Sequence, residues 1–273
     1  MNMAEIRPKE RSDIRIKLGK TFYIWKRYFE WLIDRNIYAN ERDRVLLSYS
    51  AFGHQTPLMR ELEGVDITCQ QNKIKNLKLA VEKVNGIIIK PGETFSFWKL
   101  IGNPTKRKGY VDGMVLHYGR YLKDTGGGLC QLSNLIYWMA LHTPLSVTER
   151  HRHSFDVFPD SNRTQPFGSG ATCSYNDRDL RIKNETDVSY QLHVRMTDTH
   201  LVGEWRCEEP QVHAYHIYEK DHSISRTYWG EYIRHNELWR KAYNRQHKLV
   251  SEEFITENIA IMMYEPLPEQ KAE

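Results

Sequence analysis

The segment from residue 168 to residue 207 constrains the fold more than any other part of this 273-residue chain. Its runs of alternating apolar and polar residues, such as YQLHVRM and HLVGEWRC, are typical of strands that bury one face. Polar pairs that favour turns separate the runs, and these are Asn176-Asp177, Asn184-Glu185 and Thr197-Asp198. We therefore predict short strands joined by tight turns, the pattern of an antiparallel sheet.

Two stripes of apolar residues at helical spacing precede these strands. The first stripe ends at Gly86 and consists of Ile74, Leu77, Val81 and Val84. The second stripe begins near Cys130, ends before Pro144 and consists of Leu132, Leu135, Ile136 and Met139. Helices that interrupt an antiparallel sheet predict an α+β fold, in which the helix beginning near Cys130 belongs to the core.

Two further β-rich stretches each surround a glycine. Residues 87–97, IIIKPGETFSF, flank Pro91-Gly92, and residues 114–122, MVLHYGRYL, flank Gly119. Glycine supplies the backbone freedom that tight hairpin turns require. Both stretches therefore predict β-hairpins.

Composition divides the chain into three sections. We assign residues 1–49 to an N-terminal helical segment, residues 50–207 to an α+β core and residues 208–273 to a β-rich extension of the same domain. In the extension, QVHAYHIYEK and EEFITENIAIMMYEP indicate strands, whereas GEYIRHNELWRKAYNR is ambiguous. We expect these strands to extend the preceding sheet.

Residues 15–35 predict an amphipathic helix. Its apolar side consists of Phe22, Trp25, Phe29 and Leu32. Basic amphipathic helices with aromatic residues can lie on a membrane surface, and peripheral membrane contact is one alternative. The polar side carries both acidic and basic residues, so we favour packing of the apolar side on the protein's own core.

The overall composition is that of an ordinary globular chain, with 40% hydrophobic residues and a formal net charge of +4. No block of like charges indicates a nucleic-acid partner. The absence of an export signal and of a long apolar run predicts a cytoplasmic location. The four cysteines are far apart and form no CxxC pair, so we expect no cofactor, no metal site and no disulfide framework.

The sharpest chemical signal is GGGLCQLSN, residues 126–134. Cys130 lies in the first turn of its predicted helix, where the helix dipole lowers the pKa of a thiol. The backbone N–H groups of Cys130 and Gln131 could stabilise an oxyanion, and Gly126, Gly127 and Gly128 would allow a sharp turn and a close substrate approach. Helical spacing places polar side chains on the side of Cys130, namely Ser133, Asn134 and Tyr137.

A base for this thiol is present in ERHRHSF, residues 149–155. If this run is a strand, Glu149, His151 and His153 share one face, which suits a Cys–His pair with an orienting carboxylate. Asp156 falls on the opposite face, so Glu149 and Asp179 are the rival third members. The alternatives are a buried structural cysteine at a close glycine crossing, packed histidines, or a metal site on the shared face.

Four motifs resemble the VanW family, which is named after an accessory protein of B-type vancomycin resistance. The motifs are KPGETFSFWKLIGNPTKRKGY, GGGLCQLSNLIYWMALHTPL, ERHRHSFDVFPD and PFGSGATCSYNDRDL. The resemblance implies a link to the bacterial cell wall, and no biochemical activity is established for the family. It gives a place in a family motif to Glu93, Gly126, Gly127, Gly128, Cys130, Gln131, His151, His153 and Asp179.

Two classes of function follow. The first is a thiol enzyme, an acyl transferase or hydrolase that uses Cys130 with a histidine base on a peptide or a cell-wall precursor. The second is a non-catalytic binding or accessory protein of glycopeptide resistance, in which Cys130 is structural.

Overall fold

A computed structural model describes residues 12–59, 67–117, 119–157 and 165–266. The ends of the predicted outer sections, residues 1–11 and 267–273, lie outside the described residues, as does Tyr118 in the second predicted hairpin. The helices are α1 (Asp13–Ile33), α2 (Ile67–Val84), α3 (Phe97–Ile101) and α4 (Cys130–Leu141). Together with the strands below, they confirm the predicted α+β class.

Most of the strands pair in antiparallel fashion. In chain order they are β1 (Ile37–Tyr38), β2 (Tyr49–Pro57), β3 (Ile87–Ile89), β4 (Glu93–Ser96), β5 (Asp112–His117), β6 (Arg120–Thr125), β7 (Ser146–Glu149), β8 (Phe155–Asp156), β9 (Arg181–Lys183), β10 (Tyr190–Met196), β11 (His200–Cys207), β12 (Ala214–Arg226), β13 (Tyr232–Tyr243) and β14 (Leu249–Met262). The segment that predicted an antiparallel sheet supplies β9, β10 and β11.

The central sheet has the order β2-β11-β10-β3, and α4 packs on it through β2 and β11. The four stripe residues of α4, Leu132, Leu135, Ile136 and Met139, are buried as predicted. A Cβ atom at Gly203 of β11 would lie 2.6 Å from Met139 Cε and 3.0 Å from Leu135 Cδ2. The glycine therefore lets the helix approach the sheet closely.

A second sheet has the order β1-β4-β9-β7, and it corrects one predicted hairpin. β5 and β6 pair as predicted, but β3 pairs with β10 whereas β4 pairs with β9. The side chain of Asn184 donates to Ile89 O (2.8 Å), and its backbone N–H donates to Glu93 O (2.9 Å). Because Asn184 binds backbone carbonyl groups of both β3 and β4, these groups do not pair with each other, and the two strands belong to different sheets.

The C-terminal strands form a third sheet, with the order β12-β13-β14-β8, in which β8 pairs in parallel with β14. β12 and β14 confirm the predicted strands, and the ambiguous run becomes β13. The expectation that these strands extend the preceding sheet is wrong, because β11 already has β2 and β10 as neighbours. The short strand β8, which comes from the predicted core, and the hydrogen bond from Arg150 to Asn258 (2.9 Å) join this sheet to the rest of the protein.

Helix α1 docks with its polar side inward, which contradicts the expectation that its apolar side packs on the core. Arg27 is 8% exposed and donates to both carboxylate oxygens of Glu149, at 2.8 and 2.6 Å, and to Asp177 O at 2.7 Å. Three short, charge-assisted hydrogen bonds therefore determine which side of the helix faces the protein.

The outward side of α1 carries the aromatic residues. Phe22, Trp25, Phe29 and Leu32 are 64%, 70%, 61% and 80% exposed. No helix in the described parts of the chain combines the length and the apolar character that a membrane-spanning helix needs.

Replacing Arg27 by methionine should lower the free energy of unfolding by about 3 kcal/mol, because it leaves the part-buried Glu149 carboxylate without its principal partner. Urea unfolding measures the loss, and amide hydrogen exchange in α1 should become faster. Lys26→Met is the matched control, since Lys26 makes only a 3.6 Å ion pair with Glu30 at the surface. The control should stay within about 0.5 kcal/mol of the wild type. Equal losses in the two variants would contradict the proposed anchoring by Arg27.

Candidate functional site

The first turn of α4 begins at Cys130 as predicted, and its polar side contacts the extended segment 170–173. Ser133 Oγ donates to Ala171 O (2.8 Å), Ala171 N donates to Asn134 Oδ1 (2.8 Å), and Cys130 Sγ donates to Cys173 O (3.7 Å). The polar side that the sequence placed next to the thiol therefore binds the protein's own backbone.

The Cys130 thiol lies in a setting that favours its neutral form. Burial raises its pKa, which contradicts the predicted lowering by the helix dipole. The neighbouring Cys173 also has a raised pKa, first because of burial and then because of the Cys130 thiol. Desolvation of the Cys130 thiol outweighs the backbone hydrogen bonds that lower its pKa.

The predicted oxyanion site is partly occupied by the helix itself. The backbone of Leu129 is already helical (φ −63°, ψ −20°), and Gln131 N donates to Gly128 O at 3.1 Å. The Gln131 side chain donates to Thr56 Oγ1 and to Pro57 O, each at 2.9 Å. Gln131 therefore holds α4 to β2, and its N–H group is not free for a substrate.

The glycine triplet lies where two segments of the chain cross in close backbone contact. A Cβ atom on Gly127 would lie 2.2 to 2.7 Å from the backbone of Gly113, and one on Gly128 would lie 2.2 Å from Lys73 Cγ. Asn76 Nδ2 donates to Gly127 O at 2.9 Å and holds this crossing against α2. Gly126 and Gly128 have φ angles of +81° and +92°, which confirms the predicted turn.

The two histidines do not lie on a strand face, because β7 ends at Glu149. His153 Nδ1 lies 2.8 Å from Thr172 Oγ1, and its Nε2 lies 3.4 Å from Asn134 Oδ1. Burial lowers the pKa of His153 to about 4. Among the described residues no hydrogen bond joins Cys130 to either imidazole. Cys130 and His153 instead contact the adjacent residues Cys173 and Thr172.

Glu149 is the centre of an ion-pair network. Besides the two bonds from Arg27, it accepts a hydrogen bond from Asp179 N (3.0 Å) and lies 3.3 Å from Arg181 Nε. His151 Nε2 lies 3.0 Å from Glu149 Oε1, and the His151 side chain is 38% exposed. Despite its burial, the hydrogen bonds from His151 and Arg27 and the Arg27 charge lower the Glu149 pKa to about 2.

Asp179 is fully buried next to this network. Among the described residues, it makes no hydrogen bond to His151 or His153. Its carboxylate accepts hydrogen bonds from Ser96 Oγ (2.5 Å), Trp98 N (2.9 Å) and Leu180 N (2.9 Å). Burial nevertheless raises its pKa to about 6. Its contacts fix the start of α3, so no described contact gives it the role of orienting an imidazole.

The remaining predicted residues lie at turns or away from the thiol. Glu93 closes the turn after β3 by accepting Lys90 N at 2.9 Å, and Asp156 accepts from Arg234 (3.3 Å) and Tyr264 (2.8 Å). Within the described parts of the chain, no three His, Cys, Asp or Glu side chains come together as metal ligands. Thr172 and Cys173 were not among the predicted site residues, although both lie in GSGATCS, inside a motif that carries the family resemblance.

Gly127→Ala should lower the free energy of unfolding by about 3 kcal/mol, because the added methyl group would overlap the Gly113 backbone. Thermal unfolding measures the effect. Gly19→Ala is the matched control, because no atom lies within 4 Å of a Cβ at this helical glycine. That control should be neutral or stabilising by up to about 1 kcal/mol. A wild-type melting temperature for Gly127→Ala would show that the crossing is not tight.

Asp179→Asn should remove part of the pH dependence of stability. The Asp179 pKa of about 6 lies above its ordinary value of 3.8, so its contribution is present at low pH and is lost as the pH rises through about 6. The wild type should lose about 3 kcal/mol from this group between about pH 4 and about pH 7.

Urea unfolding at a series of pH values measures this loss, and the asparagine variant should lack it. Asparagine retains an acceptor for Trp98 N and Leu180 N. Glu149 acts in a different window, since its lowered pKa removes stability only as the pH falls from 4.5 towards about 2. Parallel pH profiles for the two proteins would exclude Asp179 as the source.

Comparison with known proteins agrees with the sequence motifs. Residues 72–206 match the family described as VanW like protein. The chain is 40% identical to the vancomycin B-type resistance protein VanW of Enterococcus faecalis (strain ATCC 700802 / V583) over 171 residues, which cover 63% of this chain and 62% of that protein. It is 28% identical to the uncharacterized protein YoaR of Bacillus subtilis (strain 168) over 115 residues, which cover 42% of this chain and 36% of that protein.

These matches span less than two thirds of the length of either relative. No solved structure matches the chain. The matched region contains α4, the glycine crossing and the Glu149 network apart from Arg27. Through residues 72–206, the chain therefore belongs to the VanW family.

Proposed function

We propose that this protein acts in glycopeptide resistance as a non-catalytic binding or accessory protein, and that Cys130 is a structural thiol. The observation that carries the proposal is the hydrogen bond from Cys130 Sγ to Cys173 O, in a setting that raises the thiol pKa. A nucleophilic cysteine requires the opposite, a lowered pKa and a base within reach.

The histidines support the same conclusion. A general base must reach the proton that it abstracts, and both ring nitrogens of His153 lie beside other partners, Thr172 and Asn134. His151 contacts Glu149, but that carboxylate also binds Arg27 and Arg181 and serves the packing of α1. A thiol acyl transferase or hydrolase would require these groups to rearrange around Cys130.

The link to resistance comes from the relative in Enterococcus faecalis, which is named a vancomycin B-type resistance protein. The proposed ligand is a peptide or a cell-wall precursor, as the family resemblance implies. A shallow groove on the central sheet offers a surface for it, with histidine, guanidinium and carboxylate groups around apolar walls. Its polar lining includes His54, Gln55, His193, Arg195 and Glu204. The cytoplasmic location expected from the sequence stays a prediction.

Cys130→Ala should leave resistance intact in a bacterial host that depends on this protein, while lowering its stability by about 1 kcal/mol through lost packing and hydrogen bonding. The measurement pairs the melting temperature with the vancomycin concentration that stops growth. His153→Ala is tested alongside, and it should also act through stability. Unchanged melting with lost resistance in both variants would overturn the proposal in favour of a Cys–His enzyme.

Alkylation provides a second readout of the same proposal. In the native protein at neutral pH, iodoacetamide should modify Cys130 no faster than the neighbouring Cys173, because a neutral, part-buried thiol is a poor nucleophile. Mass spectrometry of the peptides separates the sites. Selective, rapid modification of Cys130 that slows in His153→Ala would identify an activated thiolate.

A further inference from the structure

The outward side of α1 is a continuous apolar stripe. We define the stripe as Ile14, Leu18, Phe22, Trp25, Phe29 and Leu32, which follow one another at steps of three or four residues. They are 73%, 68%, 64%, 70%, 61% and 80% exposed. Exposed apolar residues scattered singly are ordinary, but a contiguous stripe of this length indicates a binding surface.

The stripe has a fixed orientation relative to the rest of the protein. Arg27 lies on the opposite side of the helix and binds Glu149 and Asp177. The hydroxyl groups of Tyr28 and Tyr175 form a hydrogen bond of 2.5 Å. Because the inward side makes these specific bonds, α1 cannot bury the stripe by rotating without breaking them. The protein therefore presents an apolar ridge that its own packing leaves exposed.

Cations surround the stripe. Between Ile14 and Leu32, the exposed basic residues Arg15, Lys17 and Lys26 lie beside the stripe, and Lys20 is exposed on the side of Arg27. Glu30 is the single acidic residue in this range of the sequence, and it lies 3.6 Å from Lys26 and 3.3 Å from Arg27. From Ile14 to Leu32 the helix thus has five basic residues and one acidic residue, and that acidic residue, Glu30, already has cationic partners.

We propose that α1 binds the surface of an anionic lipid bilayer, with the stripe in the boundary between headgroups and acyl chains. An apolar face rich in Trp and Phe, bordered by Lys and Arg, is the chemistry that such an interface recognises. The exposed cations attract anionic headgroups at the depth where the aromatic side chains enter.

Charge also argues against a second copy of the chain as the occupant of the stripe. A two-fold interface brings the same surface of each protomer together, so it would place the cationic borders of two α1 helices next to each other. Glu30, already paired, would be the only helix carboxylate between Ile14 and Leu32 available to offset that repulsion. An anionic bilayer requires no such compensation.

The experiment is co-sedimentation of the full chain with lipid vesicles. Neutral phosphatidylcholine vesicles are compared with vesicles that contain about 30% phosphatidylglycerol, an anionic lipid. The protein should bind the anionic vesicles, and added salt should weaken this binding because it screens the headgroup charge. Equal binding to both vesicle types, or no binding to the anionic ones, would overturn the proposal.

Two sets of substitutions test the residues. The triple variant Phe22→Ser, Trp25→Ser and Phe29→Ser should bind anionic vesicles at least about tenfold more weakly, since it removes most of the insertable surface. Because these side chains are exposed, circular dichroism and the melting temperature should stay near the wild type. The matched control is Val45→Ser with Tyr228→Ser, which removes side chains 75% and 94% exposed outside α1.

The control should bind the vesicles like the wild type. If the stripe variant keeps wild-type binding, or if the control loses as much, the stripe is not the lipid-binding surface. Size-exclusion chromatography tests the rival occupant in the same samples. If the wild type is a dimer that does not bind vesicles, and the stripe variant is a monomer, the stripe binds a second copy of the chain instead.

Discussion

The Glu149 carboxylate holds together parts of the chain that are distant in sequence. It meets Arg27 from α1, Arg181 from β9 and the backbone N–H of Asp179, two residues before β9. Removing a carboxylate from water is expensive, and only this complete set of donors offsets the cost. The orientation of α1 follows from it, because Arg27 must point inward, and the aromatic side chains must then point outward. The ion pair thus determines a surface property on the far side of the helix.

The environment of Cys130 shows how position in a helix can mislead when burial is unknown. The start of α4 favours a thiolate, but desolvation acts in the opposite direction and raises the pKa of the Cys130 thiol. The polar residues around the thiol bind the segment 170–173, and the glycine triplet accommodates Gly113 and Lys73. Features that resemble a catalytic centre in sequence are thereby combined into one packed junction between α4, α2 and an extended segment.

Local patterns predicted much of this molecule. The apolar stripe of α4, its start at Cys130, the alternating strands β10 and β11, and the β5–β6 hairpin depend on neighbouring residues, and each is confirmed. The errors depend on partners far along the chain. Asn184 separates β3 from β4, Glu149 ends β7 before the histidines, and Arg27 turns the polar side of α1 inward. The motifs were sufficient for the family, whereas the roles of Cys130 and His153 depend on burial that periodicity does not reveal.

The sequence separation between paired strands has a consequence for how the chain folds. The meander of β12, β13 and β14 joins consecutive strands, so its contacts are local and its loop-closure entropy is small. The sheet around Glu149 instead requires partners such as Arg27 and Glu149, which are 122 positions apart. We therefore expect the meander to form rapidly, and the N-terminal helix to dock late, once β9 is in place. Until that step, the carboxylate of Glu149 and the guanidinium of Arg27 remain hydrated and separate.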